Sequence, residues 1–154
     1  MKDRITTLLL IIKNNKILLA QKKRGFSVGK YNGAGGKVEN GETVEECMIR
    51  ETREEINVTP VNYTKRAVIT FNIIEKGERL NIIMHTFTAD DYEGEIKESE
   101  EMRPEWFDLD KIPFDKMLPD DKVWYPVILA GKNFEAYFKF DENFNILEQQ
   151  LTVL

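Results

Sequence analysis

The sequence predicts an α/β sandwich of two helices among seven or eight strands, an expectation that rests on three observations. Apolar runs of strand length recur along the chain, beginning with residues 5–12. A capping-box pair, Thr43 with Glu46 three residues on, opens one long amphipathic stretch. Two runs rich in β-branched and aromatic residues, 67–74 and 80–88, flank Glu75-Lys76-Gly77-Glu78 as the arms of a hairpin.

In chain order, residues 5–12 lead to Asn14-Asn15, which suits a tight turn, and Lys16 to Ala20 returns as a second strand. Residues 24–37 are rich in glycine and basic residues and read as a loop, then a strand with close backbone approaches. The helix from Thr43 is expected to reach Glu55 or Ile56. After the hairpin, Glu105 to Leu109 is a short strand. Pro119 before Asp120-Asp121 starts a second helix that ends near Ala130, with Gly131 as its stop. Phe134 to Phe140 and Phe144 to Leu151 close the chain as a hairpin. No repeat, low-complexity tract or linker divides the 154 residues, so 1–154 is read as a single domain.

Bulk properties narrow the function. A hydrophobic fraction of 42% with 32% charged residues suits a folded soluble chain. A net charge of −5 argues against binding a nucleic-acid polymer or a membrane surface, although a local cation site still permits a small polyanion. One cysteine, Cys47, excludes an internal disulfide and fits a reducing compartment. Leu8 to Ile12 is too short to span a bilayer and lacks a following cleavage site, so it reads as a buried strand. A cytoplasmic protein is expected.

The helix from Thr43 carries the informative pattern. At about 100° per residue, Val44, Cys47 and Met48 share one side, which Ile49, Thr52 and Ile56 extend. Glu46, Arg50 and Arg53 fall opposite, where water is expected. Glu51 and Glu55 continue the apolar stripe, and Glu54 sits at its margin. A solvated face with i,i+4 ion pairs explains Arg50 with Glu54, but not two unpaired carboxylates on the protein side. A divalent cation removes the repulsion. Oxygen ligands select a hard ion, magnesium or manganese, and a sole histidine (His85) with a sole thiol disfavours zinc. Beside a glycine-rich segment, such a cluster points to phosphate chemistry.

Gly36, Glu42, Arg50, Glu51, Glu54 and Glu55 match the signature GX5EX7REUXEEXGU, where U is a bulky aliphatic residue. On these residues the chain resembles the Nudix hydrolases. Asn57 replaces the last glycine and Thr52 an aliphatic residue. Asparagine tolerates the left-handed backbone a helix stop needs. The likeness extends to the MutT-type oxidised-purine nucleoside triphosphatases through Lys22-Lys23-Arg24-Gly25-Phe26, Asn32-Gly33, Gly35-Gly36-Lys37-Val38 and Glu101-Met102-Arg103-Pro104. It continues through Trp106-Phe107, Ile112-Pro113-Phe114, Pro119-Asp120-Asp121 and Tyr137-Phe138-Lys139-Phe140.

The resemblance implies an α/β/α sandwich with a mixed sheet and two main helices. It also implies a reaction in which water attacks a phosphorus of a nucleoside triphosphate and yields the monophosphate and pyrophosphate. By the same resemblance, the Gly35 carbonyl, Glu51, Glu54, Glu55 and Glu101 hold magnesium. One of Glu51, Glu54 or Glu101 takes the proton of the attacking water, and Arg50 orients a carboxylate. Lys22, Gly36 and Lys37 lie where the family contacts phosphate or substrate, although each lysine is equally compatible with a solvated surface.

For the base, the matching positions are Thr7, Leu8, Phe26, Asn32, Phe71, Ile82, Asp120, Asp121 and Trp124. Asn32 can pair with a purine edge. Adjacent acids can accept from its N–H groups, and one protonated partner widens the set of bases they serve. The alternatives are helix capping for Asp120-Asp121 and ordinary core packing for Phe26, Phe71 and Trp124. Leu118 stands where the resembled enzymes stack a tryptophan on the base.

Three readings follow: a hydrolase of oxidised purine triphosphates such as 8-oxo-dGTP or 2-hydroxy-dATP; a Nudix hydrolase of another nucleoside diphosphate-linked substrate; or a non-catalytic nucleotide-binding module. The expected partner is a small nucleotide, with no nucleic-acid polymer and no membrane. The chain is expected to be a monomer, with a dimer left open.

Overall fold

The computed structural model describes residues 2–154. One mixed sheet takes in eight strands: β1 (Lys2–Lys13), β2 (Lys16–Lys22), β3 (Tyr31–Asn32), β4 (Val58–Glu75), β5 (Glu78–Gly94), β6 (Met102–Asp108), β7 (Phe134–Phe140) and β8 (Ile146–Val153). Their order is β3-β2-β1-β5-β4-β7-β8, with β6 paired to β2. The β1–β5 and β4–β7 pairs are parallel and the remaining pairs antiparallel. Helices α1 (Val44–Ile56) and α2 (Asp121–Leu129) complete the fold, with a short 3-10 turn at Phe114–Lys116.

The helices lie on opposite faces, as alternation along the strands requires. Leu9 and Ile11 of β1 pack with Met48 and Ile56 of α1. Leu8 and Leu10 pack with Trp124, Tyr125 and Ile128 of α2. This is the expected α/β/α sandwich.

The helix signals held. Thr43 accepts from the Glu46 N–H at 3.1 Å and Glu46 accepts from the Thr43 N–H at 3.0 Å, which closes the capping box. Asn57 ends α1 in the left-handed conformation at φ 68°. Thr52, which stands in place of an aliphatic residue, is fully buried with its hydroxyl donating to the Met48 carbonyl at 2.7 Å.

The central hairpin is much longer than the runs 67–74 and 80–88. Val58 pairs with Gly94 at its far end, across a bulge between Lys65 and Ala67. Charged residues and Pro60 hide this extension. β7 pairs β4 only over Ala67–Asn72, so the edge at Pro60 is free and tolerates a missing donor.

Between β1 and β2 the chain from Asn32 to Val38 inserts against β1. Thr7 N–H donates to the Gly36 carbonyl at 2.9 Å and Leu9 N–H to the Ala34 carbonyl at 2.7 Å. A Cβ on Gly35 would lie 1.9 Å from the Thr7 carbonyl oxygen, so only glycine permits this approach. The insertion sets the glycine segment beside α1.

Candidate active site

α1 presents its carboxylates as the periodicity predicts. Glu55 is 5% exposed. The Glu51 side chain is 15% exposed and that of Glu54 60%. Two expectations need correction. Arg50, placed on the water-facing side, is largely covered: its Nε and Nη2 grip both oxygens of Glu42 at 2.7 and 2.9 Å. Its Nη1 donates to Glu51 at 2.8 Å and Glu54 at 3.3 Å. The second correction is that neither Glu51 nor Glu55 is unpaired, because Glu55 accepts from the Gly35 N–H at 2.8 Å. Both partners sit at positions that periodicity alone cannot link: one flanks Glu51 on the helix, and the other lies on the inserted segment.

The electrostatics follow from burial. The Arg50 fork holds Glu42 at about 2. Desolvation raises Glu51 against the pull of Arg50. Glu55 is pushed up to about 8, first by burial; the Gly35 N–H opposes this, and Glu51 and Glu101 add repulsion.

Glu51, Glu55 and Glu101 line one groove with Lys22, Arg24, Gly35 and Gly36. Arg24 ties Glu101 at 3.2 Å. Among the described residues no three acidic side chains converge on one point, so ligation would require carboxylates to turn from their arginines. The donor set fits a hard cation: three oxygen-bearing acids share a groove, one of them poorly solvated, and a divalent charge relieves their repulsion.

Gly36 supports Glu51 directly, since a Cβ there would lie 2.5 Å from the Glu51 carboxyl carbon. Glu51 is the end of a flexible chain, so Gly36→Ala is expected to fold and to displace Glu51. Turnover should fall by roughly ten- to a hundredfold with a near-native melting temperature, checked by steady-state kinetics beside thermal melts.

The groove opens into a cavity of about 240 Å³. Lys22, Gly35, Gly36, Glu55 and Met102 line both. Of the base-contact positions, Thr7, Leu8, Phe26, Asn32, Phe71, Ile82, Asp120 and Asp121 all reach its wall, as does Leu118. Trp124 does not. It is fully buried, and its Nε1 donates to Asp120 Oδ2 at 2.7 Å, so it positions the acid from behind. Lys37 is exposed, lines neither groove nor cavity, and contributes its carbonyl to Arg50 at 3.3 Å. Glu54 also lies outside the groove wall.

Asp120 and Asp121 are both buried. Asp120 precedes α2 without making a side-chain cap, which removes the capping alternative for it. Among the described residues its Oδ1 has no hydrogen-bond partner. Burial raises both acids, and the Asp120 charge adds to the rise of Asp121, so the pair favours sharing one proton. Sequence reasoning missed Arg24, Met84, Phe140 and Phe144 as lining residues. Phe140 was legible as the end of a strand and of a matching stretch, and Phe144 was read as the start of the last strand, which begins instead at Ile146.

A buried carboxylate pair thus lines a cavity that runs into an acidic, glycine-backed groove. The NUDIX domain model matches residues 2–128, and the chain belongs to the Nudix hydrolase family. Hydrolases of this family generally need a divalent metal. Among its relatives, the oxidized purine nucleoside triphosphate hydrolase of Danio rerio is 47% identical over 149 residues, spanning 97% of this chain and 94% of its own length. That of Mus musculus is 43% identical over the same shares. The crystal structure of a mutator MutT protein from Bacillus halodurans matches with a TM-score of 0.84 at 27% identity, covering 96% of this chain and 97% of its own.

Proposed function

We propose that this chain hydrolyses oxidised purine nucleoside triphosphates, such as 8-oxo-dGTP or 2-hydroxy-dATP, to the monophosphate and pyrophosphate with magnesium. The observation that carries this reading is the Asp120-Asp121 pair at the wall of a cavity continuous with the acidic groove. One ionised and one protonated carboxyl present both an acceptor and a donor to a base edge. An oxidised purine differs from its parent in the donors and acceptors of that edge. The relatives in Danio rerio and Mus musculus, named for oxidised purine triphosphates, support the same reading.

In this reading Glu51, Glu54, Glu55, Glu101 and the Gly35 carbonyl hold magnesium, which supplies positive charge against the phosphate oxygens as negative charge develops. Arg50 holds Glu51 by a 2.8 Å bond, from which that carboxylate turns to reach the metal. Lys22, which lines both cavity and groove, attracts the phosphate chain where it leaves the base. Glu51, Glu54 or Glu101 accepts the proton of the attacking water. Asn32 pairs with the purine edge. Its Oδ1 already accepts from the Gly33 N–H at 2.9 Å, which leaves the amide N–H groups to donate.

Residues 1–154 act as one Nudix domain, since a single sheet takes in every strand among the described residues. No helix among the described residues is long and apolar enough to cross a membrane. The lone buried Cys47 supports a reducing, cytoplasmic setting.

Catalytic efficiencies for 8-oxo-dGTP, 2-hydroxy-dATP, dGTP and dATP test the proposal. The oxidised forms should be favoured roughly tenfold or more. Undetectable turnover of both oxidised forms, with fast cleavage of another nucleoside diphosphate derivative, would overturn it.

A further inference from the structure

The turn between β7 and β8 is built by Asp141. Its Oδ1 accepts from the backbone N–H groups of Asn143 and Asn145 at 2.8 and 2.9 Å, and its Oδ2 from the Asn145 amide at 3.0 Å. The turn sets Phe144 at φ 59°, a left-handed conformation that bulky side chains rarely adopt. Turn formation does not ask for an aromatic there; asparagine or glycine would sit with less strain.

The ring lines the cavity wall. Its centroid lies 5.6 Å from that of Phe140 and 4.9 Å from that of Phe26, tilted 54° to the latter. Phe26 is 54% exposed, and Phe144 is its one aromatic neighbour among the described residues. Two loops far apart in sequence thus meet through two rings beside a cavity with buried acids on its wall. Leu118 provides apolar surface to the same wall but no ring. An aromatic pair held partly in water next to an apolar cavity gains contact when a flat ring system enters.

We propose that Phe144, held by the Asp141 turn against Phe26, stacks on the nucleobase and biases the site toward purines. This rests on the nucleotide reading above. A fused bicyclic base offers more overlap to the ring than a pyrimidine does. Stacking acts alike in the bound substrate and during reaction, so it enters KM rather than kcat.

Phe144→Asn removes the ring with a residue that accepts the left-handed turn, and Phe144→Tyr keeps the ring. In Phe144→Asn the KM for the preferred purine triphosphate should rise roughly tenfold, with kcat within about twofold. The KM for a pyrimidine triphosphate should rise less, and binding of the purine monophosphate in metal-free buffer should weaken by the same factor as the purine KM. Phe144→Tyr should retain wild-type values. A wild-type purine KM in Phe144→Asn, or an equal loss in Phe144→Tyr, overturns the stacking role while purine turnover by the wild type leaves the proposed function standing. A fall in kcat and melting temperature with KM unchanged would assign Phe144 a structural role instead. A wild-type chain that turns over no purine triphosphate overturns the reading on which both rest.

Discussion

Glu55→Gln is expected to lower turnover by on the order of a thousandfold and to leave a folded protein that melts no lower than wild type in chelator. The two halves have one cause. Glu55 is buried beside Glu51 and Glu101, and burial pushes its carboxyl up to about 8. Glutamine keeps the carbonyl oxygen that accepts from the Gly35 N–H and discards a charge that the protein alone solvates poorly. A group whose charge is unfavourable without a counter-ion has a functional explanation, and the cation proposed for the groove would provide it. Pyrophosphate release with magnesium, set beside thermal melts in chelator, checks both halves. Full activity would remove Glu55 from the metal set. A melting temperature several degrees below wild type would show that the carboxylate serves the fold instead.

The part of this site that was legible in sequence is the part organised by helical period. Glu51 and Glu55 fall on the stripe of Cys47 and Met48, and both are covered. Arg50 was misplaced because period predicts the direction of a side chain near its root. A long guanidinium reaches back across the helix to Glu42 and the Lys37 carbonyl. The same distinction explains the hairpin. Burial shapes the pattern of 67–74, but the ladder continues to Val58 and Gly94 through backbone bonds to which polar side chains are indifferent. The cavity wall was legible where a resemblance supplied positions, as at Asn32 and Asp120. Trp124 shows the limit of that route: its position matched while its indole lies behind Asp120 rather than against the cavity. Phe144 was illegible because a turn residue joins the wall only through a hairpin whose register emerges from the whole sheet.

Asp120→Asn should reduce kcat/KM for an oxidised purine triphosphate by roughly a hundredfold or more, mostly through KM, and Asp121→Asn should reduce it far less. Asp120 uses Oδ2 to accept from Trp124 and carries an unpartnered, buried Oδ1. An amide at 120 must keep its oxygen on the Trp124 N–H, which turns its NH2 to the place of that free acceptor and sets donor against donor at the base edge. With the shared proton assigned to Asp121, an asparagine there reproduces the hydrogen bonding of the neutral acid. The pH behaviour separates the two acids further. The folded-state value of Asp121 lies well above the ordinary 3.8, so between these values the unfolded chain releases a proton that the folded chain retains. Asp121 therefore makes stability fall as pH rises through that window, and Asp121→Asn should flatten the fall and melt higher than wild type on its alkaline side. Thermal melts across pH, together with kcat and KM for 8-oxo-dGTP and 2-hydroxy-dATP, provide the check. An unchanged pH slope in Asp121→Asn would move the proton to Asp120 and exchange the roles assigned to the two carboxyls.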